Sequence, residues 1–133
     1  MDKRKFETNR QDWHYRKGDI YKADLDAYRG SVQGGIRPVV VLQNNDGNYY
    51  CPTLIIAPIT SKLKKLNQPT HLLIEGNKAL EVPSIVLLEQ IITVDKRRIL
   101  DYLGKLSRSD LREIDDYVMT SLGITIPDAV TAP

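Results

Sequence analysis

Two side chains of this sequence are suited to bind and act on a phosphate group, Arg37 and Thr60. Arg37 stands between the pair Gly34-Gly35 and Pro38, and a proline pushes the residue before it into extended backbone. Glycines let a ligand approach the main chain closely, so Gly35 is expected among the contacts. A planar guanidinium with five donors can hold two phosphate oxygens at once. The stretch therefore predicts a phosphate-binding cation at the start of a strand.

The expected pairing of two strands connects Thr60 with Arg37. The apolar run Val39–Leu42 and the segment Pro52–Ile59 are both typical of strands. The polar, glycine-containing stretch between them, Asn44–Tyr50, predicts a tight hairpin turn. Antiparallel pairing across that turn would place Thr60 close to Arg37.

The chemistry open to these groups is metal-free and needs no cofactor, because the sequence has no histidine or carboxylate cluster, no paired-cysteine spacing and no Walker loop. RNA offers such a route, since its own 2′-hydroxyl can attack the adjacent phosphate while the protein positions the strand and stabilises the developing charge. Thr60 and its neighbour Ser61 could donate hydrogen bonds to that phosphate. On the residues alone, Arg37 is equally well explained as a structural arginine paired with Asp24, and Thr60 is better explained as a turn-forming hydroxyl.

Length and composition predict one domain of ordinary soluble type. The 133 residues fit a single domain. No apolar run approaches the roughly 20 residues of a membrane helix, and the charged first residues do not resemble a secretion signal, so we expect a cytoplasmic protein. We divide the chain into a flexible basic arm at residues 1–15, a domain at 16–123 and a loosely ordered tail at 124–133.

The net charge of +2 is too small to indicate nucleic acid by itself. Positive charge is clustered, however, in the N-terminal arm, at Lys62, Lys64 and Lys65, and at Lys96–Arg98. Such clusters could meet a phosphate backbone, although each alone is more typical of a solvated face.

Alternation and helical spacing predict the remaining elements. Further strands are expected at Lys17–Leu25, at Thr70–Ile74, and at Ser84–Leu88 with its continuation Ile91–Val94. A helix is predicted to start at a cap residue within Ser107–Asp110 and to end at Gly123. Trp13 and Tyr15, which precede the first strand, are expected to pack on the edge of the domain. Many short strands with one C-terminal helix indicate a mainly β (α+β) fold, a small twisted antiparallel barrel with helical additions.

Five segments, taken together, resemble the MazF/PemK family of toxin endoribonucleases. They are KGDIYKADLD at Lys17–Asp26, SVQGGIRPVVVLQNN at Ser31–Asn45, PTLIIAPITSK at Pro52–Lys62, PTHLLI at Pro69–Ile74 and SIVLLEQIITVDKRRI at Ser84–Ile99. The resemblance spans roughly residues 16 to 122. Several linked motifs in one order are far more specific than a single glycine pair.

The resemblance implies a fold, an activity and partners. It implies an SH3-like barrel that works as a homodimer, and a sequence-specific, metal-independent endoribonuclease that cleaves single-stranded RNA. It also implies a cognate MazE-like antitoxin, whose partly disordered acidic tail would lie across the RNA groove. In this family the arginine of the GGxRP segment and the threonine that closes the third strand form the catalytic pair, and they match Arg37 and Thr60.

The resemblance also bears on neighbouring positions. Gln90 matches a glutamine that borders the RNA groove of family members. The other residues expected to contact RNA belong to the glycine-rich loop or to strand ends: Arg29, Gln33, Gly35, Asn44 and Ser61. Val32 departs from the pattern, since many members carry an acidic residue there, and the division of catalytic roles is open at that position. His71 lies in a strand pattern and is expected to be a hydrogen-bonded structural histidine.

Two other functions stay open. A non-catalytic toxin of the same fold, resembling CcdB, would bind a protein such as DNA gyrase. Those toxins lack the GGxRP segment with a strand-end threonine, so Arg37 and Thr60 argue against this alternative. A degenerate family member that binds RNA or antitoxin without cleaving is motivated only by Val32.

Overall fold

The computed structural model describes residues 13–26 and 34–124, which form a β domain closed by a helix. Its elements, in chain order, are β1 Asp19–Asp24, β2 Ile36–Val41, α1 Asn45–Tyr50, β3 Thr53–Thr60, β4 His71–Ile74, β5 Ser84–Leu87, β6 Ile92–Asp95, β7 Ile99–Lys105 and α2 Arg108–Leu122. The predicted arm and tail lie largely outside the described residues, so that part of the domain division stays a prediction.

The strands pair in the order β4-β5-β3-β2-β1-β7, and β6 pairs with β3 beyond the end of β5. Every pairing is antiparallel. The predicted mainly β fold with a C-terminal helix is confirmed, although the path of paired strands is open rather than a closed barrel over the described residues. The predicted break between two strands at Glu89-Gln90 is also confirmed, because β5 and β6 follow one another along the same edge of β3.

The sheet buries apolar side chains on both faces. Successive residues of a strand point to opposite faces, so Tyr21 of β1 belongs to one core and Ile20 to the other. The same division separates Val39 from Val40 in β2. This two-sided burial explains why the sequence of β2 is an uninterrupted apolar run rather than an alternating one.

The hairpin turn predicted for Asn44–Tyr50 is wrong, because the segment forms helix α1. The Asn44 side chain accepts a hydrogen bond of 2.8 Å from the Gly47 amide and so caps the helix. The buried side chain of Asn48 donates to the Gln43 carbonyl at 2.9 Å. Polar residues that would favour a turn thus serve as a cap and an internal anchor, and β2 and β3 still pair as antiparallel neighbours.

Strand β7 was not predicted. It pairs with β1, but the register shifts twice, between Ile20 and Tyr21 and again between Tyr21 and Ala23. These irregularities break the period-2 alternation by which a strand is recognised in sequence. Gly104 of β7 adopts a φ of +150°, and a Cβ added there would lie 2.9 Å from the Ala79 Cβ.

We expect Gly104→Ala to lower the free energy of unfolding by about 3 kcal/mol, because it combines backbone strain with a contact that a core cannot absorb. The matched control is Gly76→Ala, since Gly76 has a φ of +67° but open space around its Cα. That control should lose only about 1 kcal/mol. Urea unfolding of both variants measures the difference, and equal losses would contradict the contact with Ala79.

Helix α2 begins and ends where the sequence indicated. Ser107 caps its first turn by accepting a hydrogen bond from the Asp110 amide at 3.1 Å, and Gly123 ends it in the left-handed conformation at φ +69°. Ile114 is fully buried in the second core, which is the one that contains Ile20 and Val40. It is the one buried residue of this helix. No helix in the described ranges is long and apolar enough to cross a membrane.

A buried hydrogen-bonded chain fixes the start of β1. The Trp13 indole donates to the Tyr21 hydroxyl at 2.9 Å, and that hydroxyl donates to the Asp19 carboxylate at 2.7 Å. The Arg16 amide donates to the same carboxylate oxygen at 2.9 Å. Trp13 therefore packs on the domain edge, as predicted. Burial raises the pKa of both Asp19 and Tyr21 above their usual values.

The raised pKa of Asp19 predicts a pH dependence of stability. The folded state binds the carboxyl proton more tightly than the unfolded state. The free energy of unfolding therefore falls as pH rises from the ordinary pKa of 3.8 through the folded pKa, and it stays at the lower value above that pH. Asp19→Asn keeps an oxygen acceptor but does not titrate. We expect the stability of the variant relative to wild type to increase across this window, as measured by urea unfolding at a series of pH values. Parallel pH profiles would contradict a buried, titrating Asp19.

Candidate functional site

A groove of about 490 Å³ opens at one end of the sheet, where β2 begins and β3 ends. Residues of β1, β2, β3 and β7 line it together with the segment 79–82. Its polar and charged lining consists of Lys22, Arg37, Thr60, Ser61, Lys62, Glu81 and Ser84. Three cationic side chains against one carboxylate give the groove a positive balance, which suits an anionic ligand.

Arg37 and Thr60 lie on neighbouring strands and line the groove together. The register of β2 and β3 pairs Val39 with Pro58 and Val40 with Ala57. Arg37 precedes the first paired residue of β2 by two positions, and Thr60 follows the last paired residue of β3 by two positions, so both lie at the same end of this strand pair. The structure thus brings the two predicted residues together, as antiparallel pairing required.

Within residues 13–26 and 34–124, the contacts of Arg37 leave most of its donors available. Its Nε donates to the Gly34 carbonyl at 2.7 Å, which holds the half-buried guanidinium against the end of the glycine-rich loop. Within the described ranges no carboxylate forms an ion pair with Arg37. Asp24, the alternative partner, instead accepts the Asp26 amide at 2.9 Å. Both terminal nitrogens of Arg37 can therefore serve a bidentate anion.

Thr60 is held by its backbone, and its hydroxyl donates to no acceptor among the described residues. It pairs with Ile85 of β5, and its hydroxyl oxygen accepts a hydrogen bond from the Lys62 amide at 3.1 Å. A hydroxyl that accepts through its lone pair still has its own hydrogen to donate. Thr60 can thus stabilise the chain turn, as its residue type indicated, and also donate to a ligand beside Arg37.

The structure places the other predicted RNA contacts at different distances from this groove. Ser61 lines it, and Gly35, with φ +77°, directly precedes the groove residue Ile36. Asn44 lies at the opposite end of β2, where its side chain caps α1. Gln90 lies in the turn after β5, where its amide donates to the Leu87 carbonyl at 3.0 Å, and it does not line the groove.

Arg29, Gln33 and Val32 lie outside the described residues, so their predicted roles stay predictions. The residues that sequence reasoning missed are Lys22 and the segment 79–82. Lys22 is the exposed residue of an otherwise buried stretch of β1. A lysine between two apolar strand residues was the sequence feature that could have identified it. The segment 79–82 carries no such signal, because only the tertiary fold brings it to the groove.

The basic cluster Lys96–Arg98 is partly neutralised by its own surroundings. Arg97 donates to both oxygens of Asp95 at 3.1 Å, and this hydrogen bonding lowers the pKa of the Asp95 carboxyl. A second cavity, of about 410 Å³, is lined by Arg97 and Arg98 but also by Asp24 and Asp95. Its charges balance, so it is less suited to a phosphate than the first groove.

Neither histidine belongs to the groove. His14 is exposed, with its ring 6.0 Å from that of Tyr49. His71 is buried and hydrogen-bonded, as predicted. Across residues 13–26 and 34–124, no three His, Cys, Asp or Glu side chains come together as metal ligands would.

The fold and the groove define a small β domain that offers a guanidinium and a hydroxyl to an anion at the end of its sheet. The chain belongs to the PemK-like, MazF-like toxin family of type II toxin-antitoxin systems, whose family model matches residues 16–122. The family match thus covers nearly all of the domain that carries the groove.

Solved structures show the same fold. The MazF of Deinococcus radiodurans is 24% identical, with a TM-score of 0.75 over 85% of this chain and all of that one (100%). A mycobacterial endoribonuclease in complex with its cognate antitoxin is also 24% identical, with a TM-score of 0.66 over 86% and 98% of the two chains. A MazE-MazF complex of Deinococcus radiodurans is 20% identical, with a TM-score of 0.67 over 86% and 100%. At these identities the likeness shows the fold alone.

Proposed function

We propose that this chain is the toxin of a type II toxin-antitoxin system and acts as a sequence-specific, metal-independent endoribonuclease on single-stranded RNA. The observation that carries the proposal is that Arg37 and Thr60 line one positively charged groove, where β2 begins and β3 ends. Membership of the toxin family and the endoribonuclease among the structural neighbours support it.

The cleavage step follows from the groups in the groove. The 2′-hydroxyl of the substrate attacks the adjacent phosphorus, the bond to the 5′-oxygen breaks, and a 2′,3′-cyclic phosphate remains on one product. The two terminal nitrogens of Arg37 bind the non-bridging oxygens, where negative charge gathers in the transition state, and the Thr60 hydroxyl donates to the same phosphate. The proton of the 2′-hydroxyl passes to water, and water supplies the proton that the departing 5′-oxygen takes up.

Partners follow from the same charges. Single-stranded RNA is the substrate because unpaired bases can be splayed out and read individually. The antitoxin inhibits by laying an acidic segment along the groove, where Lys22, Arg37 and Lys62 would bind it in place of RNA. Solved relatives occur as complexes with antitoxins. The proposal includes a homodimer in the cytoplasm.

The test is incubation of the purified protein with a long RNA in EDTA, with cut sites mapped by primer extension. Discrete cuts that share a short base motif, and that disappear in Arg37→Ala and Thr60→Val, are the expected result. Intact RNA from a folded, antitoxin-free protein would overturn the enzyme proposal. Gyrase inhibition that persists in Arg37→Ala would favour the non-catalytic alternative.

A further inference from the structure

His71 links two segments that are far apart in sequence. It is buried at the start of β4. Its Nδ1 lies 3.1 Å from the Lys65 carbonyl oxygen, and its Nε2 lies 2.8 Å from the Glu89 carboxylate. Lys65 belongs to the connection between β3 and β4, and Glu89 to the turn between β5 and β6.

Both partners of the imidazole are acceptors. A carbonyl oxygen can only accept a hydrogen bond, and so can an ionised carboxylate. The His71 ring therefore contacts two separate segments at once, the Lys65 carbonyl oxygen through Nδ1 and the Glu89 carboxylate through Nε2.

The connection held by His71 is the basic loop, residues 61–69. Residues 61–67 are all exposed, including the apolar side chains of Leu63 and Leu66. The loop thus buries little surface of its own, and its position depends on hydrogen bonds. Lys65, whose carbonyl His71 contacts, has a φ of +55°, a conformation that a lysine rarely adopts and that needs support from its surroundings.

The basic loop begins in the groove. Ser61 and Lys62 line the groove, and the Lys62 amide donates to the Thr60 hydroxyl. At its other end the loop closes through the Gln68 amide, which donates to the same Lys65 carbonyl at 3.0 Å, and through the His71 amide, which donates to the Gln68 carbonyl at 3.0 Å. The His71 ring joins the middle of this closed loop, at Lys65, to the turn that carries Glu89.

We propose that His71 is a positioning residue for RNA binding, which holds the basic loop in the shape that presents Lys62 to the substrate. The proposal rests on the ribonuclease function proposed above. His71 does not touch the reacting phosphate. Its loss should therefore weaken the binding of RNA and raise KM, while the chemical step at Arg37 and Thr60, and with it kcat, stays nearly unchanged.

Two substitutions separate the two hydrogen bonds. An asparagine amide nitrogen takes the place of Nδ1, and a glutamine amide nitrogen takes the place of Nε2. His71→Asn should keep the contact with Lys65, and His71→Gln should keep only the contact with Glu89. We expect His71→Gln to raise KM for a short RNA about tenfold with kcat changed less than about twofold, and His71→Asn to stay near wild type in KM.

The outcomes discriminate between roles. If His71 only stabilised the fold, both variants would lower the melting temperature alike and leave KM unchanged, which would overturn the proposal. If the wild type does not cleave RNA, the proposed function fails instead. A third variant keeps the proposal testable if neither His71 variant folds: Lys62→Ala changes an exposed side chain of the groove and should raise KM in the same way, and an unchanged KM would contradict the inference.

Discussion

Arg37→Ala is expected to lower kcat/KM for RNA cleavage by about 10²- to 10³-fold, a loss comparable to the removal of one preorganised donor from other charge-stabilising sites. The side chain is fixed through its Nε to the Gly34 carbonyl, and its terminal nitrogens have no described partner. The alanine variant thus removes ligand contacts while breaking one hydrogen bond to the described part of the chain. Initial rates on a short RNA that contains the mapped cut site measure the effect.

Two further variants serve as controls for Arg37→Ala. Arg37→Lys keeps the charge but not the paired donors, so it should recover only part of the activity if bidentate binding matters. Arg112→Ala removes an arginine from the exposed face of α2 and should leave the rate unchanged. Equal losses in Arg37→Ala and Arg112→Ala would indicate general electrostatic attraction of RNA and would contradict a specific role for Arg37.

Ile114→Ala should give a large loss of stability, about 2 to 5 kcal/mol in the free energy of unfolding. Ile114 is the one residue of α2 that is fully buried, and it lies in the second core with Ile74, Leu88 and Leu106. Truncation removes the most deeply buried side chain that packs α2 against the sheet. It leaves a cavity that the short strands β4 and β5 cannot fill. Urea unfolding followed by circular dichroism measures the loss.

The matched control is Leu122→Ala in the last turn of the same helix. Leu122 is 60% exposed, so its truncation removes little buried surface and should cost less than about 1 kcal/mol. A comparable loss in the two variants would contradict the conclusion that the burial of Ile114 decides how α2 is held.

Sequence reasoning succeeded where one local rule sufficed. The caps Ser107 and Gly123 defined α2 because each supplies a hydrogen bond or a backbone conformation that a helix end requires. The placement of Arg37 and Thr60 in one groove followed from the antiparallel order of β2 and β3 alone, so it did not depend on the wrong prediction for the segment that connects them.

It failed where distant parts of the chain decide the outcome. Asn44 has a side chain suited equally to a turn, a cap or a ligand contact, and only the local fold makes it the cap of α1. The link from His71 to Glu89 joins residues 18 positions apart through a strand pairing that no local pattern encodes. The segment 79–82 reaches the groove only through tertiary contacts, and the irregular register of β7 hid that strand.

The position of β3 affects how the activity can be switched off. β3 pairs with three strands, β2, β5 and β6, so its amide hydrogens should exchange with solvent only when the whole domain unfolds. Thr60 ends this strand, and Arg37 lies on its neighbour. Fraying of the edge strands β4 and β7 would leave both residues in place. A protease that waits for local opening of these edges would therefore find Arg37 and Thr60 in place, and control of the proposed activity would have to act on the folded surface that carries them.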